Sequence, residues 1–208
     1  MTKFHVQQAH REVIRNCESS MITVVSGLPR SGTSLVMQML QAGGHPILCD
    51  ESRPADADNP RGYLEYVKVR TLERDASWLA EAEGRAVKVV SPLLSSLPTG
   101  FDYRVIFVRR DLREVIRSQE LMLQRRNQPT GPDSATMTIH FERHLTSIDK
   151  WLAGRQDMQV LNCQHATLMS DPASVARTIA EFLQRNLDVN QMAGVVDPVL
   201  YRQQASAG

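Results

Sequence analysis

The stretch VVSGLPRSGTSLV, residues 24–36, decides the reading of this chain. It passes from an apolar, β-branched segment through two glycines into a sequence with helical spacing. A glycine-rich turn between a strand and a helix aims several backbone N–H groups, and the positive end of the helix dipole, at one point. Such a turn holds a phosphate. The usual phosphate loop reads G-x-x-x-x-G-K-[ST]. Gly27 and Gly32 stand at its glycines and Ser34 at its hydroxyl position, but Thr33 occupies the lysine position and Arg30 brings a cation inside the loop. The ligand therefore has a phosphate but does not require a lysine aimed at β- and γ-phosphates.

Working outward, apolar β-branched runs alternate with longer amphipathic ones. Residues 22–26, 86–91, 103–108 and 158–163 read as strands, with 46–50 as a short fifth. Residues 33–42, 64–82, 111–126, 138–153 and 172–185 read as helices, and Gly43-Gly44 stops the first of them. Continuous apolar strands alternating with helices predict an α/β fold: a P-loop NTPase-like, doubly wound parallel sheet of about five strands flanked by helices, in one domain over 1–208. Residues 49–63 and 126–135, rich in Pro, Asp and Gly, read as loops. Ligands of such sheets sit at the carboxyl ends of the strands, where the 27–34 loop and the 49–63 loop both belong.

Composition excludes several classes. Twenty-four Lys and Arg against 23 Asp and Glu leave a net charge of +1, which gives no basic field for nucleic acid. The pair Arg125-Arg126 reads as a solvated helix face. No run of 18 apolar residues predicts a membrane span. The polar opening MTKFHVQQAHREVIRN lacks an apolar signal core, and the cysteines, Cys17, Cys49 and Cys163, are odd in number without metal spacing. Together these predict a cytoplasmic protein with reduced thiols. The six histidines show no paired-ligand pattern, and no metal is expected.

A second constellation lies in YRVIFVRRDLREVIRSQ, residues 103–119. Arg110 falls at the carboxyl end of a strand, and Ser118 follows eight residues later in a helix. Arg109 points to the opposite face of the strand. Together the two segments resemble the sulfotransferases that use 3′-phosphoadenosine 5′-phosphosulfate (PAPS). The resemblance spans roughly residues 20–185 in element order. It implies that Pro29, Arg30, Ser31, Gly32, Thr33 and Ser34 hold the 5′-phosphosulfate, and that Arg110 and Ser118 hold the 3′-phosphate. It also accounts for the missing lysine. A sulfuryl group carries less negative charge than a phosphoryl group, so its transfer leans less on a metal ion. Loop amides, Arg30 and the loop hydroxyls can meet the charge of the departing bisphosphate (PAP).

The acceptor must lose a proton as it attacks sulfur. Cytosolic sulfotransferases carry K-T-H-x-P, with the base histidine in the middle. Lys88 and Pro92 match that spacing here, but Val90 stands in the histidine position. The loop is most similar to that of the tyrosylprotein sulfotransferases, whose base is a glutamate beyond the first helix. Aligned without gaps, that glutamate falls on Glu51 in DESR, with Asp50 and His45 as rivals. The resemblance thus implies Glu51 as base, Lys88 and Arg30 as the electrophilic groups, and Arg53 as a substrate contact. The family's late-strand tyrosine is replaced by Asn162, Cys163 and Gln164. The activity implied is sulfuryl transfer from PAPS to a hydroxyl or amine of a small-molecule or peptide acceptor. The competing readings are a P-loop kinase or nucleotide hydrolase, and a non-catalytic nucleotide-binding protein.

Overall fold

The computed structural model describes residues 20–50, 52–56, 59, 61–129 and 131–197. Four strands, β1 (Ile22–Gly27), β2 (Ala86–Lys88), β3 (Tyr103–Arg109) and β4 (Met158–Gln164), form one parallel sheet in the order β2-β1-β3-β4. The central β1 pairs Val24 with Val87 on one side and with Val105 on the other. Among the described residues the α-helices are α1 (Thr33–Ala42), α2 (Ser91–Leu94), α3 (Leu112–Arg125), α4 (Ser134–Ala153), α5 (His165–Ser170), α6 (Pro172–Leu183) and α7 (Val189–Gly194). None of the described helices is long and apolar enough to cross a membrane.

Side chains alternate across the central strands and feed two cores. Ile22, Val24, Val105 and Phe107 face Trp78, Leu94, Ile148 and Leu152. Val25, Ile106 and Val108 face Met37 and Leu40 of α1 and Ile179 and Leu183 of α6. Because both faces are covered, β1 is buried along its whole length. That explains why its sequence reads as a continuous apolar run.

Two expectations change. Among the described residues the sheet has four strands rather than about five. In 46–50, only Ile47 bridges to Ala86, with Leu48 donating to the Ala86 carbonyl at 2.7 Å. Beyond it the chain leaves the sheet, as the Asp50 amide turns to the Glu65 carbonyl at 2.9 Å. The expected helix over 64–82 is instead two 3₁₀ turns, Val67–Thr71 and Ser77–Ala82. The β-branched residues Val67, Val69 and Thr71 weaken an α-helix there. Asp75 Oδ1 then accepts from the Ser77 amide at 2.9 Å and starts a new turn. The apolar positions stay buried all the same: Val69, Leu72, Trp78, Leu79 and Ala82 pack into the core. At other ends the differences are small. β2 stops at Lys88 because α2 begins at Ser91-Pro92, and α4 starts four residues early, capped by Asp133.

Candidate active site

The carboxyl ends of β1 and β3 and the first turn of α1 frame a cleft of about 810 Å³. Its floor is the 27–34 loop. Gly27 has φ +149, and a Cβ there would lie 2.6 Å from both Ser31 Oγ and the Val108 carbonyl. Gly32 has φ +105, and a Cβ would meet the His165 ring at 2.7 Å. Both positions require glycine for conformation and for space. Arg30 itself has φ +72, a strained conformation for a side-chain-bearing residue. No side chain caps the first turn of α1, and Gly32, Thr33 and Ser34 at that end line the cleft, an arrangement suited to an anion. Ser31 Oγ is buried without a hydrogen-bond partner.

The second motif meets this loop. Arg110 Nη1 donates to the Arg30 carbonyl at 3.0 Å, and Arg30 Nε donates to Ser118 Oγ at 2.9 Å. Arg110 also pairs with Glu114 at 2.9 Å, one helical turn on, with both side chains under a tenth exposed. Segments eighty residues apart thus form one end of the cleft. Arg109 turns the other way, to Asn162 Oδ1 at 2.9 Å and to Asp149, over the Phe107 ring.

The middle of the cleft belongs to Lys88. Its ammonium donates to the Tyr63 carbonyl at 2.6 Å, to Glu65 Oε1 at 3.0 Å and to Ser34 Oγ at 3.3 Å. Burial pushes its pKa below the usual lysine range, while Glu65 pulls it back up. Arg53 shares Glu65 Oε1 at 3.0 Å and lies 3.4 Å over the Tyr63 ring. The outer rim is tied by Asp56, which accepts from Tyr63 at 2.7 Å and pairs with Arg126 at 2.9 Å. Arg126 therefore joins two loops rather than facing solvent alone.

Of the residues singled out from sequence, Pro29, Arg30, Gly32, Thr33, Ser34, Arg53, Lys88, Arg110 and Ser118 line this one cleft, and Ser31 lies beneath it. Glu51 lies outside the described residues. Its rivals are not cleft-lining. His45 bonds Thr23 Oγ1 at 3.1 Å near the amino end of β1, and burial with the nearby Arg185 charge lowers its pKa to about 4. Asp50 accepts from the Ser52 and Val67 amides at 2.8 and 2.6 Å. Burial alone would raise its pKa, but these hydrogen bonds outweigh it and leave the carboxyl below its usual range.

Five residues escaped the sequence reading. Glu114 lies four residues after Arg110, a helical spacing that was available as a signal. Glu65 and Tyr63 bind Lys88 across 23 and 25 residues of chain, with no local signature. His165 supplies a ring under Gly32, just past the strand from which the family's tyrosine is missing, and burial with the Arg110 charge lowers its pKa to about 4. His144, a fifth cleft group, bonds Ser91 Oγ at 2.9 Å.

Solved structures share this architecture. The sulfotransferase domain of the Synechococcus PCC 7002 olefin synthase aligns over 90% of each chain, with a TM-score of 0.52 and 16% identity. A Mycobacterium avium sulfotransferase aligns over 97% of this chain and 73% of its own, with a TM-score of 0.56 and 15% identity. A mouse sulfotransferase complexed with PAP aligns over 86% and 63%, with a TM-score of 0.50 and 16% identity. No match to a curated protein was found. The family model described as the sulfotransferase domain matches residues 22–204, nearly the whole chain. The protein therefore belongs to the sulfotransferase domain family and is an enzyme of sulfuryl transfer built on a P-loop α/β fold.

Proposed function

We propose that the sulfuryl donor is PAPS and that the acceptor is a hydroxyl or amine of a small molecule or peptide. The observation that carries this is the junction of the 27–34 loop with Arg110 and Ser118 at one end of the cleft. Two separate phosphate sites that touch each other suit a ligand phosphorylated at both 3′ and 5′ positions. The cradle fits such a group: two glycines that tolerate no Cβ and the uncapped start of α1 border the cleft, and the Ser31 hydroxyl beneath it is buried without a hydrogen-bond partner.

In this reading Arg30, Thr33, Ser34 and the loop amides hold the 5′ end, with Pro29 and Gly32 shaping the turn. Arg110 and Ser118 bind the 3′-phosphate. Lys88 offers its charge to the bridging oxygen as the S–O bond breaks, so that negative charge builds on the bisphosphate beside a cation. Arg53 orients the acceptor, and Glu51 takes its proton. The mouse protein's PAP complex supports the choice of donor by kinship of fold.

The test uses radiolabelled PAPS with a panel of phenols, alcohols and amines, on the wild type and on Glu51→Gln. The substitution keeps size and removes basicity. Turnover should fall about 10²–10⁴-fold while PAP affinity holds. A Gln variant that keeps most of its activity moves the base elsewhere in the cleft, with His144 the first group to replace.

A further inference from the structure

Lys88 is the cation buried most deeply against the cleft, with its side chain 4% exposed. An ammonium in such a place is costly unless an acid meets it. Glu65 does so, and does more. Its Oε1 accepts from Lys88 and from Arg53 at 3.0 Å each, and its Oε2 lies 3.9 Å from Arg70. One carboxylate therefore gathers cations from β2, from the 49–63 loop and from the 3₁₀ turn Val67–Thr71. The Glu65 carbonyl also accepts the Asp50 amide, fixing the start of the loop that carries Arg53.

We propose that Glu65 is a positioning residue of the sulfuryl-transfer site, holding Lys88 and Arg53 side by side as cations at the boundary between donor and acceptor. This rests on the reading of PAPS as donor. Glu65 acts through its two partners: it confines two like charges that would otherwise repel. The groups facing the Lys88 ammonium are Glu65 and the Tyr63 ring and carbonyl from the loop side, and Ser34 from α1. Arg53 and Arg70 lie behind Glu65. Burial, the largest influence on Lys88, lowers its pKa; Glu65 raises it by charge and hydrogen bond, and Arg53 lowers it. Removing Glu65 therefore releases the Lys88 proton at lower pH, and removing Arg53 releases it at higher pH.

The experiment is calorimetric titration with PAP from neutral pH to about pH 10.5, near the ordinary lysine pKa. In the wild type, affinity should fall as Lys88 loses its charge, and Lys88→Met should lack that fall. In Glu65→Gln the fall should move to lower pH by about one to three units, the usual reach of one opposite charge. Glu65→Asp should bring it most of the way back. Arg53→Gln should move it upward, and this keeps the test alive if Glu65→Gln does not fold. Wild-type and Glu65→Gln curves that coincide, or an Arg53→Gln curve that does not rise, overturn the role of Glu65. A wild type that does not bind PAP at neutral pH overturns the donor reading instead.

Discussion

The two ends of the cleft are built from different materials. The end proposed to hold the donor is mostly backbone: a strand end, two constrained glycines and the uncapped start of α1, with Arg110 clasping the Arg30 carbonyl. The opposite end is a lattice of side chains on a long loop, in which Arg53, Tyr63, Glu65 and Lys88 hold one another and Asp56 ties the rim to Arg126. Backbone amides bind any phosphate and tolerate little change. A lattice of charges can be rewired to suit a different acceptor. On the proposed reading, the donor end holds the nucleotide, and the loop end, which carries Lys88 and Arg53, meets the acceptor.

If that contrast is right, substitutions at the donor end should cost folding and nucleotide binding together. The largest effect is expected for Arg110→Ala, which leaves the buried Glu114 carboxylate without its guanidinium partner. Breaking such a pair costs about 3–5 kcal/mol, which lowers Tm by roughly 10 °C in a chain of this size. PAP should bind about ten- to a hundredfold more weakly through loss of a charged hydrogen bond. ADP, which lacks the 3′-phosphate, should lose much less. The double variant Arg110→Ala/Glu114→Ala should regain stability without regaining PAP, and equal losses for PAP and ADP would remove Arg110 from the 3′-phosphate site. Arg109→Ala is the control. Its side chain is engaged by Asn162 and Asp149 outside the cleft, so PAP affinity should change less than about twofold by calorimetry.

A somewhat smaller effect is expected at Gly27. Alanine there adds positive-φ strain and a clash with the Val108 carbonyl, about 2–4 kcal/mol together. Thermal denaturation should show a Tm drop of several degrees, with PAP binding lost at the temperature where the wild type still binds. A Gly27→Ala protein as stable as the wild type would mean that the loop is softer than the donor end requires.

The same contrast explains what could be read from the sequence. A backbone anion site needs glycines, a hydroxyl and a helix start at set spacings, so residues 27–34 were legible without a structure. Arg110 and Ser118 were legible because they share one strand–helix unit. The 64–82 segment keeps a helix-like apolar spacing, but the β-branched Val67, Val69 and Thr71, with Asp50 accepting from the Val67 amide and Asp75 from the Ser77 amide, divide it into two 3₁₀ turns. Glu65 was invisible for a related reason: both of its close partners are distant in sequence, and nothing local marks an acid that gathers three cations. The edge segment 46–50 has strand composition, but the turn of the Asp50 amide toward Glu65 ends its pairing.

The central claim is that the donor end is shaped for a nucleotide phosphorylated at both ends, bound without the aid of a triphosphate lysine. Thermal denaturation with PAP, ADP and ATP–Mg²⁺ tests it most directly, because a ligand that binds only the folded chain raises Tm by mass action. At a hundredfold excess over Kd the gain is about 2.7 kcal/mol, or roughly 5–10 °C. PAP without Mg²⁺ should give the largest rise and ADP a smaller one. A larger rise with ATP–Mg²⁺ than with PAP would contradict the account.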